Sequence, residues 1–404
     1  MLSVEKALAR VLAAFEPLPA EQVSLANALG RVLAEDVTAR VTQPPAAVSA
    51  MDGYAVRAAD VARVPAVLRQ VGYVRAGTSY DGTVGPGETM RIFTGAPVPA
   101  GADTIIIQED TKADDDTVTV LEGASEGRYI RPAGLDFSAG EVGLRAGRVL
   151  TARDIGYAAA MNVSWLSVRR QPRVAILVTG DEVVMPGDPI GANQIASSNG
   201  PALAAFVTAS GGLPLLLGIA LDSAQSLKRM AAGARGADLL VTTGGASVGE
   251  HDLVQSVLKG EGLEVDFWQV AMRPGKPLMF GRLGDTPVLG LPGNPVSSLV
   301  CAVLFIRPIL ETMLGAERLD RPPATALLGV DLGENDRRQD YLRARLSTNK
   351  DGALVATPFE KQDSSMLSRL AHADCLVVRP PLAPPAKAGE VVTIIPLAGG
   401  ISGM

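Results

Sequence analysis

The sequence predicts a multidomain protein of α/β plus β class, in which a central α/β domain with a mostly parallel sheet accompanies β-rich and helical parts. Its 404 residues exceed the roughly 100 to 200 residues of a single domain. Three near-continuous apolar runs that each reach a glycine, at 173–180, 237–245 and 287–294, are typical of buried parallel strands. Short Val/Ile/Thr-rich runs bounded by Gly, Pro and Asp precede and follow that region, and they indicate β structure.

The expected division of the chain follows from where these patterns change. The expected domains are a helical domain (1–45 with 141–171), an inserted β-rich domain (46–140), a ligand-binding α/β domain (172–320) and a C-terminal β domain (321–404). Apolar residues at helical spacing from Ser3 to about Phe15 predict an amphipathic helix. Thr151 and Asp154 have the spacing of a capping box, which predicts the start of a second helix.

Helices are expected between or after the apolar strands of the α/β domain, which is the pattern of a layered sheet. The predicted helices are Pro201–Ser210, Ser223–Ala234 and Val296–Leu310. In such a fold the ligand binds at the carboxyl ends of the strands. The acidic run 114–116 lies between two strand-like runs of the β-rich domain, and it predicts a solvated hairpin turn rather than a metal cluster.

Composition excludes several classes of function. The 37 Lys and Arg residues against 43 Asp and Glu residues give a formal net charge of −6, the wrong sign for a nucleic-acid-binding protein that relies on bulk charge. Cys301 and Cys375 are far apart, so neither a disulfide framework nor a structural zinc site is indicated. The apolar stretches fall short of the about 20 residues of a membrane span. A cytoplasmic protein without membrane or nucleic-acid partners is expected.

The chain has two histidines, His251 and His372. A Ser-His-Asp or Cys-His nucleophile would need one of them beside its partner residues, and a transition-metal site would usually need several. For His251 we favour a solvent-facing loop position over a role as metal ligand or base. The chemistry is therefore expected to depend on carboxylates, lysines, arginines and backbone amides.

Two strand exits carry groups that suit a cation and an anion. Gly180, Asp181 and Glu182 follow the first parallel strand, and the two carboxylates could hold a hard cation or could cap a helix or turn. The second exit, residues 242–252, is glycine-rich and ends in Asp252, and its amides and hydroxyls suit a phosphate. It lacks both the Gly-Lys-Ser/Thr of a Walker loop and the glycine spacing of a dinucleotide fold.

Two rigid turns follow. Arg273 and Lys276 place two cations around Arg-Pro-Gly-Lys-Pro, which predicts an oxyanion site, with an ordinary charged hairpin as the alternative. At the fourth exit a buried strand passes through Pro-Gly-Asn-Pro into a helix. Pro295 suits the first helical position there, and the amides that follow it are expected to point outward.

The four exits are expected to converge at one edge of the sheet. They indicate a phosphate-bearing ligand, a divalent cation such as Mg²⁺ on the acids, and a second oxyanion on Arg273 and Lys276. Transfer or hydrolysis at phosphorus is the expected class of reaction. The β-rich domain adds two polar loops, one with Asp52 and one with Thr94, and for Asp52 the residue chemistry alone favours a turn.

These motifs together resemble those of the molybdopterin molybdenumtransferase family (MoeA, and the C-terminal domain of gephyrin). SAMDGYA, TGAPVPAGAD, TGDE, SSNG, TGGASVGEHD, RPGKP and LPGNPVSS occur in the order of that family, and the match covers almost the whole chain. The resemblance implies the four-domain organisation, with the α/β domain binding molybdopterin, and a homodimer with the helical domain as its dimerisation domain. It also implies a cleft between the α/β domain of one subunit and the β-rich domain of the other.

The implied reaction takes adenylylated molybdopterin and molybdate as substrates, requires Mg²⁺, and releases AMP. The implied partners, besides the second subunit, are the molybdopterin adenylyltransferase and molybdoenzyme chaperones. The residues carried over as catalytic are Asp52 (acting from the partner subunit), Glu182, Asp222, Asp252 and Lys276, with Glu182 and Asp252 also as metal ligands. The residues carried over as substrate-binding are Thr94, Asp136, Gly180, Ser198, Gly244, Gly245, Ser247, Gly249, Arg273, Pro292, Gly293, Asn294, Pro295 and Ser297.

This chain departs from the family pattern at three places. Arg273 stands where lysine is usual, which keeps the charge but changes reach and hydrogen-bond geometry. Leu135 precedes Asp136 where a Glu-Asp pair is common, and Ser223 follows Asp222 where a second acid is expected.

Two alternative functions stay open at this point. One is the preceding adenylyl transfer to molybdopterin, and the other is a non-catalytic pterin-binding scaffold. The inserted β-rich domain favours molybdenum insertion, because small adenylylating relatives lack it. Retention of Asp52, Glu182, Asp252 and Lys276 argues against a pure scaffold.

Overall fold

A computed structural model describes residues 1–244, 253–317 and 324–397 of the chain. The helices are α1 (Val4–Leu12), α2 (Ala152–Ala160), α3 (Asn199–Ala209), α4 (Ala224–Ala231), α5 (Leu253–Gly260), α6 (Pro295–Cys301), α7 (Arg307–Met313) and α8 (Leu367–Ala371). The strands are β1 (Ala20–Ser24), β2 (Val37–Thr38), β3 (Val48–Ser49), β4 (Gly53–Val56), β5 (Ala66–Val74), β6 (Glu88–Ile92), β7 (Thr104–Ile107), β8 (Thr111–Asp114), β9 (Thr117–Val120), β10 (Ile130–Arg131), β11 (Val142–Leu144), β12 (Trp165–Arg169), β13 (Arg173–Thr179), β14 (Val183–Val184), β15 (Ile195–Ala196), β16 (Leu213–Ala220), β17 (Leu239–Thr243), β18 (Leu263–Gln269), β19 (Met272–Arg273), β20 (Pro277–Leu283), β21 (Thr286–Leu291), β22 (Thr325–Leu328), β23 (Gln339–Thr348), β24 (Leu354–Pro358), β25 (Cys375–Arg379) and β26 (Val391–Pro396).

A six-stranded sheet with the order β16-β13-β17-β21-β20-β18 forms the α/β domain. The first four strands are parallel, whereas β20 and β18 run antiparallel to their neighbours. The three runs predicted as buried parallel strands are β13, β17 and β21, so that prediction is confirmed. These strands are buried because α1, α3, α6 and α7 cover one face of the sheet and α4 and α5 cover the other.

One long helix crosses the core of this domain. α6, a π-helical turn (Ala302–Ile306) and α7 form a single helix of 19 residues, with a mean hydropathy of 1.7 in its most apolar window. By length and composition alone it could cross a membrane, which the short apolar stretches of the sequence did not predict. However, 61% of that window is buried inside the protein, and Val300, Phe305 and Leu310 lie in the hydrophobic core. This burial is typical of a core helix in a globular domain.

The N-terminal helix packs elsewhere than expected. Ser3 caps α1, and Val4, Ala7, Val11 and Phe15 lie in the core of the α/β domain. The remainder of the expected helical domain has a separate core. The assignment of residues 1–45 to one packing unit therefore needs correction, because the apolar stripe of α1 covers a face of the central sheet.

The expected helical domain contains one α-helix, α2, and otherwise short strands, with β1 pairing to β12 and β2 to β11. Its buried core includes Phe137, Leu150 and Leu166. The predicted capping box of α2 is confirmed, since the Asp154 carboxylate accepts hydrogen bonds from the amide (2.8 Å) and the hydroxyl (2.7 Å) of Thr151. The domain expected to be helical is therefore built mostly from strands that pair with segments distant in sequence.

The inserted domain is a mixed sheet with the order β7-β4-β6-β5-β9-β8 and apolar clusters on both faces. β8 and β9 form an antiparallel hairpin in which Asp114 pairs with Thr117. Asp115 has a φ of 47° at its tip, so the acidic run is a turn, as predicted.

In the C-terminal domain, β23, β24, β22, β26 and β25 close into a barrel, because β23 pairs with both β24 and β25. β19, which comes from the α/β domain, adds to this barrel by pairing in parallel with β23. The two domains are thus joined by backbone hydrogen bonds as well as by side chains.

Candidate functional site

A cleft of about 650 Å³ lies where the strands of the central sheet end. β13, β17 and β21 are adjacent and parallel, so Thr179, Gly244 and Pro292 reach the same edge. The predicted site residues that line this cleft are Glu182, Ser198, Gly244, Pro292, Gly293, Asn294 and Pro295. The predicted convergence is therefore seen for the three exits that follow β13, β17 and β21, and the Arg-Pro-Gly-Lys-Pro turn contributes Pro277.

The floor of the cleft is made of small residues in close contact. Gly244 has a φ of +93°, and a Cβ there would lie 2.3 Å from the carbonyl oxygen of Thr179. A Cβ on Gly293 would meet the Gly244 Cα at 3.5 Å. Glycine at position 244 is thus required both by the left-handed backbone and by the close approach of two strand ends. The result is a backbone surface that a flat or phosphate-bearing ligand can approach closely.

Asn199, at the start of α3, lines this cleft, and its side-chain amide has one acceptor without a partner among the described residues. Its amide nitrogen donates to the hydroxyl of Thr243 and to the carbonyl of Gly293, both at 2.8 Å. Because two acceptors fix the nitrogen, the orientation of the amide is determined, and the buried Oδ1 atom has no hydrogen-bond partner among the described residues. The buried hydroxyl of Thr179 likewise has none. An acceptor left unpaired in a cleft calls for an N–H or O–H donor on the ligand.

Helix termini give the cleft a positive end. Ser197, Ser198 and Asn199 at the N-terminus of α3 line it, and this terminus favours an anion. At the start of α6, Pro295 occupies the first turn as predicted. The amide of Val296, however, donates to the carbonyl of Ser364 at 3.2 Å. The expectation that the amides after Pro295 are free thus needs correction for Val296, because the C-terminal domain uses that donor.

Acidic side chains gather beside the first exit. Asp181 Oδ1 accepts a hydrogen bond of 2.9 Å from the amide of Asp222. Burial raises the pKa of Asp222 above its ordinary value, and the carboxylates of Asp181 and Glu182 raise it further. Gly180 has a φ of +135°, and a Cβ there would lie 2.5 Å from the Glu182 carboxylate. The exit therefore concentrates negative charge next to the cleft.

The Arg-Pro-Gly-Lys-Pro turn is rigid, but its two cations differ. Gly275 has a φ of +110°, and a Cβ there would lie 2.7 Å from the Sγ atom of Cys301. Arg273 does not line the cleft, since its guanidinium is bound by Asp340 and Asp336 of the C-terminal domain. Lys276 forms no ion pair with any described residue, and the adjacent Pro277 lines the cleft. The oxyanion role of Arg273 stays a prediction.

Asp52 and Thr94 come together in the inserted domain, away from the lining of the cleft. One oxygen of the Asp52 carboxylate accepts from the amide of Thr94 at 2.7 Å and from its hydroxyl at 2.8 Å. These hydrogen bonds hold the pKa of Asp52 below its usual value, and the Arg91 charge adds to the effect. Gly53 must be glycine because a Cβ would lie 2.0 Å from the carbonyl oxygen of Ile106. The SAMDGYA loop thus presents an ionised, exposed carboxylate.

The other predicted residues are distributed as follows. Asp136 lines a second cavity of about 910 Å³ between the inserted domain and the segment 43–46. Ser297, in the first turn of α6, is buried. Gly245, Ser247, Gly249 and Asp252 lie outside the described residues, as does His251. Among residues 1–244, 253–317 and 324–397, no group of three His, Cys, Asp or Glu side chains is arranged to hold a metal ion.

Residues of two segments contribute to the cleft but were missed by sequence reasoning. Asn199 is part of the SSNG motif, but the sequence analysis selected only Ser198 from it. Ser365 and Leu367 line the cleft from the C-terminal domain, and Ser364 binds the Asn294 side chain at 2.9 Å. The Asp-Ser-Ser run at 363–365 was the available signal, but nothing in the sequence indicates that it meets α6.

Comparisons with known proteins give one consistent result. The family models that match are the MoeA N-terminal region (domain I and II) over residues 2–162, a probable molybdopterin binding domain over 175–312, and the MoeA C-terminal region (domain IV) over 325–397. The molybdopterin molybdenumtransferase of Haemophilus influenzae is 33% identical over 400 residues, which cover 98% of each chain. Molybdopterin molybdenumtransferase 2 of Mycobacterium tuberculosis is 37% identical over 352 residues, 85% of this chain and 86% of the relative.

The fold agrees with these matches. The solved structure of a molybdopterin biosynthesis MoeA protein from Pyrococcus horikoshii superposes with a TM-score of 0.85 at 32% identity, covering 99% of this chain and 100% of that one. From the order of the matched domains, the identity to full-length relatives and the cleft at the strand exits, this chain belongs to the molybdopterin molybdenumtransferase (MoeA) family of molybdenum cofactor biosynthesis.

Proposed function

We propose that this protein transfers molybdenum from molybdate to adenylylated molybdopterin, releases AMP and leaves molybdenum on the dithiolene of the pterin. The observation that carries the proposal is the convergence of three parallel strand exits on one cleft, next to a cluster of acids and a lysine that forms no ion pair with any described residue. A phosphate, a metal ion and an oxyanion need these three kinds of group.

The pterin nucleotide would lie in the cleft at the strand exits. Its anionic part fits the N-terminus of α3 and the exposed backbone around Gly244 and Gly293. The free Oδ1 atom of Asn199 is an acceptor for an N–H or O–H group of the same ligand. The cleft volume of about 650 Å³ is that of a pocket for a small molecule.

Glu182 and Asp252 are the proposed ligands of Mg²⁺. Burial raises the pKa of Asp222, and the nearby carboxylates of Asp181 and Glu182 raise it further; a bound cation would offset the negative charge of these acids. Carboxylate oxygens are the donors that Mg²⁺ prefers. When bound, Mg²⁺ supplies charge neutralisation to phosphate oxygens. Asp222 would stay close to this group and hold a proton more readily than a solvent-exposed aspartate.

Lys276 is the proposed ligand of the molybdate oxyanion. It lies on a turn whose backbone is restricted by the rings of Pro274 and Pro277, so little ordering entropy is lost when it binds an anion. Asp52 would approach from the inserted domain of a second subunit in a homodimer, which places an ionised carboxylate at the mouth of the cleft. Its hydrogen bonds from Thr94 lower its pKa and so favour the ionised carboxylate.

The proposed setting is cytoplasmic. Proposed partners are a molybdopterin adenylyltransferase, which would supply the adenylylated substrate, and molybdoenzyme chaperones, which would receive the product.

The test is AMP release from adenylylated molybdopterin with Mg²⁺, measured with molybdate, with tungstate and without oxyanion, followed by assay of metal on the pterin. We expect release that depends on the oxyanion and product that retains the metal. Glu182→Gln should lower the rate strongly, whereas Glu109→Gln, at an exposed acid of the inserted domain, should not. AMP release at the same rate with and without oxyanion, or formation of adenylylated pterin from ATP, would contradict the proposal.

A further inference from the structure

We infer that Arg273 is a positioning residue, through which the acids of the C-terminal domain hold the Arg-Pro-Gly-Lys-Pro turn and set the affinity of Lys276 for the oxyanion. The inference rests on the proposed function. It assigns Arg273 a task different from direct contact with molybdate.

The side-chain hydrogen bonds of Arg273 are made with the C-terminal domain, and Arg273 does not line the cleft. Its Nε atom donates to Asp340 Oδ2 at 3.0 Å, and Nη2 donates to the same oxygen. Nη1 reaches Asp336 Oδ2 at 3.4 Å, and Nη2 reaches Asn335 Oδ1 at 3.4 Å. The guanidinium group therefore donates hydrogen bonds to three side chains of the C-terminal domain. A lysine at this position could not make this set of contacts, because it lacks the planar fork.

The charge of Arg273 is already balanced. Asp340 is 4% exposed, so its carboxylate depends on the guanidinium as its counter-ion. Asp336 is bound in turn by Arg338 at 2.8 Å, and the four side chains together carry no net charge. Hydrogen bonding to Asp340 raises the pKa of Arg273, in keeping with this pairing. An oxyanion would have to compete with the buried Asp340 carboxylate for the same donors.

Backbone hydrogen bonds connect the pairing of β19 with β23 to the segment that contains Lys276. β19 pairs with β23, with Arg273 opposite Asp340, and the amide of Gln339 donates to Ala271 at 2.9 Å. Between β19 and β20, the carbonyl of Lys276 accepts hydrogen bonds from the amides of Val270 and Leu278, both at 3.1 Å. A loosened β19 would therefore release both ends of the turn that presents the Lys276 side chain.

Lys276 and Arg273 are therefore expected to have different roles. Lys276 has no ion-pair partner among the described residues and lies next to a residue of the cleft, whereas Arg273 is committed to the C-terminal domain. The sequence places them in one motif, but the structure gives them opposite environments.

A double-mutant cycle on the full-length enzyme tests this inference. Arg273→Ala and Asp340→Asn should each raise the KM for molybdate about tenfold with kcat within about threefold of wild type, and the double variant should be no worse than either. Arg273→Lys should have a raised KM for molybdate similar to that of Arg273→Ala. Asp331→Asn is the matched control, because Asp331 forms an exposed ion pair with Lys387 in the same domain, and it should leave KM unchanged.

If Arg273 binds molybdate directly, Asp340→Asn would free the guanidinium and lower the KM or leave it unchanged. That result, or additive effects in the double variant, would overturn the inference.

Hydrogen exchange supplies a second measurement that does not depend on enzyme activity. The amides of Val270, Leu278 and Gln339 should exchange faster in Asp340→Asn. If this variant does not fold, Arg273→Lys and Asp336→Asn are measured in the same way. Unchanged exchange in folded variants also refutes the inference, whereas a wild-type enzyme without oxyanion-dependent AMP release refutes the proposed function alone.

Discussion

Single residues at the cleft are fixed by contacts that leave one chemical group free for the ligand. Asn199 uses both amide hydrogens on Thr243 and Gly293, so only its carbonyl oxygen remains available. Gly244 supplies no side chain, and its positive φ lets the ends of β13 and β17 approach. The specificity of the cleft therefore depends on a few atoms whose orientation is set by neighbouring strands.

Removal of the free acceptor should weaken binding of the pterin nucleotide. Asn199→Ala is expected to raise the KM for adenylylated molybdopterin about tenfold, since a hydrogen bond of about 1 to 1.5 kcal/mol is lost. Steady-state kinetics with varied pterin substrate would measure this. The matched control is Thr208→Ala on the exposed side of α3, which should leave KM unchanged. An unaltered KM in Asn199→Ala would show that its oxygen does not meet the ligand.

At the scale of single elements, the N-terminus of α2 is held by a buried capping box. In α2 the capping aspartate is almost completely buried, and its carboxylate accepts from Thr151 and from Arg148. Burial acts to raise the pKa of Asp154, but the hydrogen bonds from Thr151 and Arg148 outweigh it and lower the pKa below 3.8. The folded state therefore favours the ionised form.

The stability that Asp154 contributes should depend on pH in a defined direction. Because the folded-state pKa is lowered, the contribution is complete above 3.8 and is lost as the pH falls through the folded-state pKa. We expect Asp154→Asn to lower stability by about 1 kcal/mol near pH 7, in line with other lost helix caps. Thermal unfolding of both proteins between pH 7 and acid would check this. A Tm difference that grows toward low pH would contradict the assignment, and Asp81→Asn at an exposed loop is the control.

At the scale of the whole molecule, the site residues fall into two groups in one chain. The cleft carries Glu182, whereas Asp52 and Thr94 lie in the inserted domain and do not line it. A homodimer that pairs the cleft of one subunit with the inserted domain of the other would unite the two groups.

This arrangement predicts complementation between inactive variants. Asp52→Ala and Glu182→Ala should each be inactive alone. In a mixed dimer, isolated by two different affinity tags, one of the two symmetric sites would contain both native residues, so about half of wild-type activity is expected. AMP release by the purified mixed dimer is the measurement. An inactive mixed dimer would mean that each site is built within one chain.

Much of this fold could be predicted from the sequence because the relevant signals are local. The runs that became β13, β17 and β21 are nearly continuous apolar stretches, as expected of strands covered on both faces, and a glycine follows each strand within two residues. The box formed by Thr151 and Asp154 spans four residues and is realised as expected. Parallel strands end at a common edge, so the place of the cleft also followed from the sequence.

Only the tertiary structure decided which groups at that edge are free. Arg273 meets Asp340, 67 positions later in the chain, and Asn294 meets Ser364, 70 positions later. α1 covers the central sheet rather than the neighbouring N-terminal strands. Hydrophobic periodicity and motif spacing report neighbours within about one element, whereas these contacts arise from packing between domains. The sequence therefore determined the elements and the chemistry available at their ends, and the tertiary structure determined which of those charges remain available to a ligand.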